Sequence, residues 1–553
     1  MNGLVFETQS PIVAPDPNRS DIACFVGFIG RRNTSLPGEL ERWLDEQGLA
    51  SGPYARPSFE ELLDIPVPID TWEVFDHLFE WDRRPVGSIE GFAATYLGAA
   101  VRSFFAQGGR KCYVVRAGDP WPLTGIRLDD PVDLSADGKR ALRTAAIMRL
   151  IPGYTLLPEA ITSLKDVPPE AVNLDRGRLP SSPADRSSWR GIAHLFGLPD
   201  VSFLCLPDLA DAVSVERGEI ERDVPVPELP EGFVECSEPV PPPPSDSLAR
   251  GARAPRCDEA GYADWGRAVN HAARLIAQHR REVQLVAAVP IPQPGTPPER
   301  NLHEFLAGQS RGLLGTPVNA AGQGLSSAFV QLVYPWTRSG SSAMLPERLE
   351  SPDAVLCGIL ARNALARGTF RSAAGLHLGD VYDVFPLLSR EQMLWTNGAG
   401  RRSFIERVSV FGPTPRGLEV LSDVTTTADE SYRSAGVNRL VSVIVRAARR
   451  IGEDSVFESS GEELWGRIRQ RLSLLLDGLL ADGALRGASP EEAYEVRCDR
   501  STMSQNDIDN GRVIVRVQFA AAFPIDRITV VLAMDEGGQT SLISTRSAGQ
   551  EAA

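Results

Sequence analysis

The chain has 553 residues, a formal net charge of −15 at pH 7 and 42% hydrophobic residues, an ordinary globular composition with length for several domains. The acidic balance argues against nonspecific binding to nucleic acid. No apolar stretch reaches the roughly 18 residues that a membrane-spanning helix needs. We therefore expect neither nucleic acid nor a membrane among the partners.

The seven cysteines are scattered and include no C-x-x-C pair. An odd, unclustered set is typical of free thiols in a reducing cytosol rather than of a disulfide framework. The first residues lack the basic and long apolar regions of a secretory signal peptide, so we expect none.

The N-terminal residues 1–20 contain two short apolar bursts broken by prolines. They fit either a frayed terminus or a strand donated to a neighbouring molecule. The run 22–29 is continuously apolar, as expected for a strand buried on both faces. A helix is predicted near 39–47.

Residues 88–116 form a second clear block. Apolar side chains recur at helical spacing from 89 to 105, and Ser88 is a candidate N-cap. Gly108 and Gly109 end this predicted helix, and 111–116 is a predicted strand.

The middle of the chain alternates predicted strands with predicted helices. The strands are 201–208, 284–290 and 328–336, and the helices are 262–280 and 352–367. This alternation favours an α/β layer with a mostly parallel sheet.

Two segments interrupt this pattern. Residues 121–195 contain one predicted helix, 136–149, among prolines, and residues 216–258 are acidic and proline-rich. The second segment cannot bury a core by itself, so it is predicted to be an extended surface loop or linker.

The C-terminal part begins with a long predicted helix. Ser460 and Glu463 have the spacing of a capping box, and Gly483 stands where a left-handed residue ends a helix. The apolar face of this helix comprises Leu464, Trp465, Ile468, Leu472, Leu475, Leu476, Leu479 and Leu480. Strands predicted at 494–498, 513–519 and 528–532 complete a compact α+β unit.

The sequence offers few catalytic motifs. Residues 308–312 match G-x-S-x-G, so one alternative is a serine hydrolase that uses Ser310 as its nucleophile. Such a nucleophile needs a buried strand immediately before it, and residues 302–307 instead favour a helix or loop. No zinc or nucleotide motif is present, and the turn with Asp507 and Asp509 lacks the glutamate that completes a calcium loop. We predict a non-enzymatic protein without metal or cofactor.

A basic face accompanies the helical pattern that precedes the C-terminal unit. Its members are Arg433, Arg439, Arg446, Arg449 and Arg450, and the opposite face is apolar. Such a face is either solvated or in contact with a negatively charged partner.

Several strings resemble the contractile tail sheath proteins of myophages, R-type bacteriocins and phage-like contractile injection systems. In the C-terminal unit they are LLADGALRG at 479–487, PEEAYEVRCD at 490–499 and NDIDNG at 506–511. In the N-terminal block, FFAQGGRKCYVVR at 104–116 is similar to the same family. A departure is Asn363, where the family usually has aspartate after the arginine. The resemblance is strong over 22–29, 88–116 and 437–532, moderate over 195–375, and absent over 120–195 and 216–258.

The resemblance implies a structural subunit of a contractile sheath. Such a sheath polymerises helically, with six-fold symmetry, around an inner tube and contracts to drive the tube through a target envelope. The implied partners are other copies of the chain, the inner tube protein, and baseplate and tail terminator proteins. Assembly is expected in the bacterial cytoplasm, as part of a phage tail or phage-tail-like particle. A baseplate or terminator protein that shares the sheath fold remains an alternative.

The resemblance also implies which residues make contacts between subunits. In the family, subunits exchange terminal strands, which makes Leu4, Val5 and Phe6 at one end, and Leu542 and Ile543 at the other, candidate inter-subunit strands. The C-terminal domain lies against the tube in the family. The candidates for facing the tube are therefore Arg439, Arg446, Arg449 and Arg450.

The expected fold is multidomain, α/β plus α+β. The resemblance implies an inner sheath core built from the N- and C-terminal parts, and a middle α/β domain with surface insertions. The expected divisions are an extension 1–20, an N-terminal part of the core 21–120, a variable insertion 121–195, the middle domain 196–395 with its proline-rich loop 216–258, a C-terminal sheath domain 396–535 and an extension 536–553.

Overall fold

The computed structural model describes most of the chain. The described residues are 20–51, 54, 59–87, 91–124, 135–165, 180–217, 252–308, 312–396, 402–455, 458, 461–522, 528–534 and 540–547. All elements and contacts below refer to these residues.

The helices and strands are numbered in chain order. The α-helices are α1 Gly38–Glu46, α2 Trp72–Leu78, α3 Tyr96–Ala106, α4 Ala136–Leu150, α5 Pro158–Ser163, α6 Leu209–Ala212, α7 Glu259–His279, α8 Pro297–Arg300, α9 Leu302–Ala307, α10 Asp353–Arg367, α11 Arg390–Leu394, α12 Ala435–Asp454, α13 Glu462–Ala481, α14 Pro490–Ala493 and α15 Gln505–Asp509. The strands are β1 Ala23–Phe28, β2 Gly30–Arg31, β3 Pro66–Ile69, β4 Phe79–Glu80, β5 Arg84–Pro85, β6 Phe92–Ala93, β7 Cys112–Gly118, β8 Phe203–Cys205, β9 Arg256–Cys257, β10 Gln284–Ala288, β11 Ile291–Pro292, β12 Val330–Tyr334, β13 Trp336–Ser339, β14 Val381–Phe385, β15 Ser409–Thr414, β16 Gly417–Val420, β17 Tyr494–Arg497, β18 Val513–Phe519, β19 Ile528–Met534 and β20 Thr540–Ser547.

Eight strands form one large sheet in the order β16-β15-β12-β10-β8-β1-β7-β3. The six inner strands run parallel, and β16 and β3 pair antiparallel at the two edges. β1 lies inside the sheet, with Ala23 opposite Cys112 of β7 and Phe203 of β8. All six residues of β1 are buried, which confirms the prediction of a strand covered on both faces.

Each face of the large sheet has its own hydrophobic core. Alternate residues of β1 enter different cores, because successive side chains of a strand point to opposite faces. Val26 and Phe28 join the core that contains α7, whereas Phe25 joins the core that contains α3 and α10. The sheet is therefore an α/β layer, as the alternation of predicted strands and helices indicated.

This sheet crosses the divisions that we expected from the sequence. It combines β1, β3 and β7 from the N-terminal part with β8, β10 and β12 from the middle and with β15 and β16. One sheet therefore combines strands of the expected N-terminal part, the middle domain and, through β15 and β16, the start of the expected C-terminal domain. Linear order does not reveal this arrangement, since parallel neighbours are joined by long crossovers.

Two expected surface segments also contribute to the interior. In α4, within the expected insertion 121–195, Ile147 and Leu150 are fully buried in the core beside α7. β9, within the expected loop 216–258, pairs with β11, and its Cys257 is fully buried. Residues 218–251 of that loop lie outside the described residues.

The C-terminal unit is a four-stranded antiparallel sheet, β17-β18-β19-β20, covered by α12 and α13. The burial of β18 alternates along the strand, which confirms a one-sided strand. Gly483 has φ +74, as predicted for the residue after a helix. The buried face of α13 consists of Leu464, Trp465, Ile468, Leu472, Leu476 and Leu479.

Helix starts differ from the predictions. α13 begins at Glu462 with Gly461 as its N-cap, one residue later than the predicted cap Ser460, which lies outside the described residues. α3 begins at Tyr96, where the Thr95 hydroxyl accepts a hydrogen bond from the N–H of Gly98. The first part of the apolar pattern from 89 onwards instead contains β6, because an amphipathic pattern does not identify the cap residue.

Candidate functional site

The carboxyl edge of the parallel strands is where open α/β sheets usually bind ligands. The chain passes from β1 to β7 on one side and returns to β8 on the other, so β1 and β8 flank the position where ligands bind in such sheets. In this chain the protein's own charges occupy that position. Arg84 is 2% exposed and lies 2.6 Å from Asp211, which also binds Arg217. Burial alone would raise the pKa of Asp211, but Arg217 and Arg84 lower it to about 2.

A second carboxylate, that of Asp208, lies at the same carboxyl edge of the sheet. The backbone N–H of Phe28, at the end of β1, donates to Oδ2 of Asp208 over 2.8 Å. Burial raises the pKa of Asp208 to about 7. A Cβ atom at Gly27 would lie 2.2 Å from this oxygen, so only glycine fits there. The hydrogen bond from Phe28 to Asp208 joins the end of β1 to the segment that follows β8, so its role is to hold these two segments together.

The G-x-S-x-G motif lacks the local structure that a nucleophile elbow requires. The element before it is the helix α9, Leu302–Ala307, and not a buried strand. Ser310 itself lies outside the described residues. Within the described part of the chain no group of three or more histidine, cysteine, aspartate or glutamate residues could hold a metal ion.

Two further features concern cysteines and membranes. The six cysteines in the described ranges are free and buried, in agreement with the predicted thiols.

Among the helices of these ranges, none is long and apolar enough to cross a membrane.

The basic face predicted before the C-terminal unit lies on α12, and its arginines reach into the protein. Arg439 is 5% exposed and donates to both carboxylate oxygens of Asp423, at 3.1 and 2.6 Å. Its Nε also donates to the carbonyl of Thr369 over 2.8 Å. Burial tends to raise the pKa of Asp423, but Arg439 and the hydrogen bonds hold it below its usual value.

The other α12 arginines continue this contact along the helix. Arg446 donates to the carbonyl of Val201 and to the hydroxyl of Ser202, both over 3.0 Å. Burial lowers the pKa of Arg446 to about 10. Arg449 lies 2.6 Å from Glu282, whose side chain is 1% exposed. These contacts attach the C-terminal unit to the large α/β sheet.

The expectation of a single exposed basic face is therefore wrong for Arg439 and Arg446. Both side chains are buried within the chain, so neither can face a tube. Arg449 and Arg450 are half-buried, and their role toward a tube stays a prediction. Helical spacing places these residues on one face, but it does not distinguish water from another part of the same protein as the neighbour of that face.

The C-terminal sheet includes the candidate inter-subunit strand. β20 pairs antiparallel with β19, with Leu542 opposite Leu532, and the register shifts at the next pair so that Ile543 has no partner in the β19 ladder. No described strand lies on the other side of β20. The sheet thus extends past residue 535, where we expected the domain to end. The N-terminal candidates Leu4, Val5 and Phe6 lie outside the described residues.

The sequence analysis missed Asp423, which joins several segments. Besides Arg439, it accepts hydrogen bonds from the N–H of Ala373 and the side-chain amide of Gln331, both over 2.8 Å. No local motif surrounds Asp423, and its partners lie 16 to 92 positions away in the chain. Only the folded structure brings them together.

Comparison with known proteins gave structural matches only. Neither protein-family models nor curated protein sequences match the chain. A cryo-EM structure of the anti-feeding prophage baseplate in the contracted state matches with a TM-score of 0.52 and 14% identity, covering 94% of each chain. The contracted helical sheath of the same prophage matches with a TM-score of 0.48 and 19% identity, covering 95% of this chain and 96% of that one. A sheath tail protein from Desulfitobacterium hafniense matches with a TM-score of 0.45 and 12% identity, over 96% and 100%. The chain has the fold of the baseplate structure, which is the basis for comparison below.

Proposed function

We propose that this chain is a structural subunit of a contractile sheath, which polymerises helically around an inner tube and contracts to drive that tube through a target envelope. The observation that carries the proposal is the match of the fold, over 94% of both chains, to a chain of the anti-feeding prophage baseplate in its contracted state. A match of this length includes the large sheet and the C-terminal unit together, rather than one common α/β motif.

The sequence strings that resemble sheath proteins support the same function. They occupy consecutive parts of the C-terminal unit: 479–487 ends α13, 490–499 contains α14 and β17, and 506–511 leads into β18. The strings thus coincide with the turns and strand starts that build one sheet. This coincidence ties the resemblance to the architecture of that unit rather than to composition.

The carboxyl edge of the large sheet supports a structural role as well. Arg84, Asp211 and Arg217 fill the position where a ligand would bind in many α/β enzymes. Buried ion pairs of this kind fix the relative positions of strands and loops. A sheath subunit, which acts as a rigid body in a lattice, requires such fixed positions.

The finer parts of the proposal concern assembly. Subunits join by strand exchange through Leu4, Val5 and Phe6 at one terminus and Leu542 and Ile543 at the other. Such a head-to-tail contact, repeated without closing, builds a helix. The partners are the inner tube, the baseplate and the tail terminator, with six-fold symmetry, and assembly occurs in the bacterial cytoplasm. Support comes from β20, whose outer edge has no partner among the described strands.

Negative-stain electron microscopy of the purified, full-length chain tests the proposal. We expect striated hollow cylinders of uniform diameter, alone or after mixing with the inner tube protein. Particles that remain monomers or small rings under both conditions would contradict a sheath subunit. Labelling by a serine-reactive fluorophosphonate probe would instead support the hydrolase alternative at Ser310.

A further inference from the structure

A cavity of about 380 Å³ lies at the carboxyl edge of the large sheet, beside the end of β12. Its walls come mainly from the segment between β11 and α9 and from the segment between β14 and α11. Parallel sheets usually bind ligands at this edge, and the volume is in the range of small-molecule sites. We call this cavity the Tyr334 pocket, after the last residue of β12. The proposed sheath function assigns nothing to it.

The interior of the Tyr334 pocket is largely apolar. The rings of Tyr334, Phe385, Trp395 and Phe404 line it together with four prolines. Leu387 also lines it and is 64% exposed, so the pocket opens to solvent on that side. An occupant must therefore be mostly apolar, and flat rings suit walls of this kind.

The charged side chains of the wall balance one another. They are two arginines, Arg256 and Arg300, and two glutamates, Glu299 and Glu391. Arg256 lies 2.6 Å from Glu347, and Glu299 accepts a hydrogen bond from a backbone N–H of the preceding turn over 2.6 Å. Arg300 and Glu391 are both exposed and have opposite signs. This balance favours an uncharged occupant.

The amide and imidazole groups of the wall are engaged in the protein's own hydrogen bonds. Asn301 accepts one from the first turn of α9, and Gln392 accepts one from the N-cap residue of α11. His303 Nε2 lies 3.1 Å from the carbonyl oxygen of Arg402, to which it donates. Its Nδ1 is fully enclosed by protein, so no occupant of the pocket can reach it.

The hydroxyl of Tyr334 is different from these groups. Tyr334 is 1% exposed, and its hydroxyl has no hydrogen-bond partner among the described residues. Unlike Nδ1 of His303, this hydroxyl is not fully enclosed by protein. Burial raises the pKa of Tyr334, although Arg256 lowers it in part, so the hydroxyl keeps its proton and can donate. The nearby positive charge of Arg256 also favours an acceptor opposite the hydroxyl.

We propose that the Tyr334 pocket binds an uncharged aromatic molecule with one hydrogen-bond acceptor, of the class of aryl ketones. The carbonyl oxygen accepts a hydrogen bond from the Tyr334 hydroxyl, and the ring packs against the aromatic walls. The inference is independent of the sheath function.

A matched pair of probes tests this inference. The ketone para-fluoroacetophenone and the hydrocarbon para-fluoroethylbenzene share a fluorinated ring, and only the ketone has an acceptor oxygen. Each probe is titrated with the full-length chain, and the linewidth of its fluorine NMR signal measures binding. We expect the ketone to bind with a Kd on the order of a millimolar or tighter, which is within the range for ligands of this size.

Substitutions locate the binding site and its hydrogen bond. Tyr334→Phe removes only the hydroxyl, so it should weaken binding of the ketone about threefold to tenfold and leave binding of the hydrocarbon unchanged. The matched control is Tyr382→Phe, at an exposed tyrosine of β14 that does not line the pocket, and it should affect neither probe. Trp395→Ala removes a wall that both probes contact and should weaken both at least about threefold.

Three results would overturn the inference. They are absence of ketone binding at the limit of its solubility, an equal effect of Tyr334→Phe on the two probes, and unchanged binding of both probes to the Trp395→Ala variant. If Trp395→Ala does not fold, as judged by near-ultraviolet circular dichroism, Leu387→Ala at the exposed part of the wall replaces it with the same expected result.

Discussion

At the scale of single residues, ionised groups lie inside this protein and connect distant parts of the chain. The clearest case is Asp423, whose side chain is fully buried against Arg439. Removing one partner of a buried pair leaves the other charge without compensation, which is more costly than losing a surface pair. The pair therefore matters to stability, although each residue alone has no distinctive sequence context.

Replacing Arg439 with methionine tests this role. We expect the free energy of unfolding to fall by about 3–5 kcal/mol, because Asp423 is left buried and ionised. The matched control is Arg471→Met, whose partner Asp454 is 55% exposed, with an expected loss of about 1 kcal/mol or less. Chemical denaturation followed by circular dichroism measures both. Equal effects of the two substitutions would contradict the burial of the Asp423–Arg439 pair.

A second residue-scale prediction concerns pH. Burial raises the pKa of Glu350 from 4.5 to about 7, although a hydrogen bond from Ser103 lowers it in part. Between these values the folded chain keeps a proton that the unfolded chain has lost, so stability falls as the pH rises through this window. Above about pH 7 Glu350 is ionised in both the folded and the unfolded chain, and the stability that its protonated form contributes is lost.

The substitution Glu350→Gln should remove this decline. Relative to the unaltered chain, we expect the variant to gain up to about 3 kcal/mol in going from about pH 5 to pH 8, since each unit of pKa shift corresponds to about 1.4 kcal/mol. Denaturation midpoints across this range measure the slope, with the exposed residue change Glu41→Gln as control. Identical slopes for all three proteins would show that Glu350 is not protonated in the fold.

At the scale of elements, the buried face of α13 determines how the C-terminal unit packs. Leu472 is fully buried in the core, whereas Leu474 on the same helix is 64% exposed. We expect Leu472→Ala to cost about 2–5 kcal/mol and Leu474→Ala to cost less than about 0.5 kcal/mol. Thermal and chemical unfolding of the two variants measure the difference. Similar costs would mean that the helix packs with a different face.

The edge strand β20 leads to a second prediction at this scale. Deleting residues 540–553 removes the partners that β19 has in β20 and leaves its pairing with β18, so the β19 amides that point toward β20 should exchange at least about tenfold faster in hydrogen-exchange measurements. Deleting only residues 548–553 keeps β20 and serves as the control. If exchange in β19 is unchanged by the longer deletion, β20 does not pair with β19 of its own chain in solution.

At the scale of the whole molecule, the α12 arginines join two units that have separate cores. The C-terminal sheet has one core with α12 and α13, and the large sheet has two cores of its own. Arg446 and Arg449 cross from α12 to Ser202 and Glu282 beside the large sheet. Polar contacts of this kind hold the units in one relative position, as the proposed sheath function requires.

Assembly is also predicted at this scale. Deleting residues 1–18 should abolish sheath polymers and leave a folded monomer, because β-augmentation by the N-terminal segment is proposed to join subunits. Size-exclusion chromatography and negative-stain microscopy distinguish the outcomes, with circular dichroism as the check on folding. Cylinders from the truncated chain that look like those of the unaltered chain would refute strand exchange by this terminus.

Most individual elements could be predicted from the sequence because they depend on local patterns. The apolar run of β1, the alternation of β18 and the long helices α7, α10 and α13 follow from spacing alone. Helix starts were less predictable, as α3 and α13 illustrate, because an apolar pattern can continue past a cap. The fold class was predictable for the same local reason.

The candidate site was less predictable. Helical spacing places the α12 arginines on one face, but Arg439 and Arg446 lie inside the protein. An arginine that contacts a buried carboxylate has the same local sequence as one that contacts water. The role of Asp423 likewise depends on neighbours that are distant in sequence.

The sequence by itself determined the alternating elements, the turn at Gly483 and the resemblance of the C-terminal strings, because these depend on residues within a few positions of one another. Only the tertiary structure decided that β1 lies between β7 and β8, that α12 attaches one unit to another, and that β20 extends the C-terminal sheet. The physical reason is that strand neighbours and charge burial are selected by free energies of long-range contacts. Those contacts form between segments whose separation in sequence carries no information about their pairing.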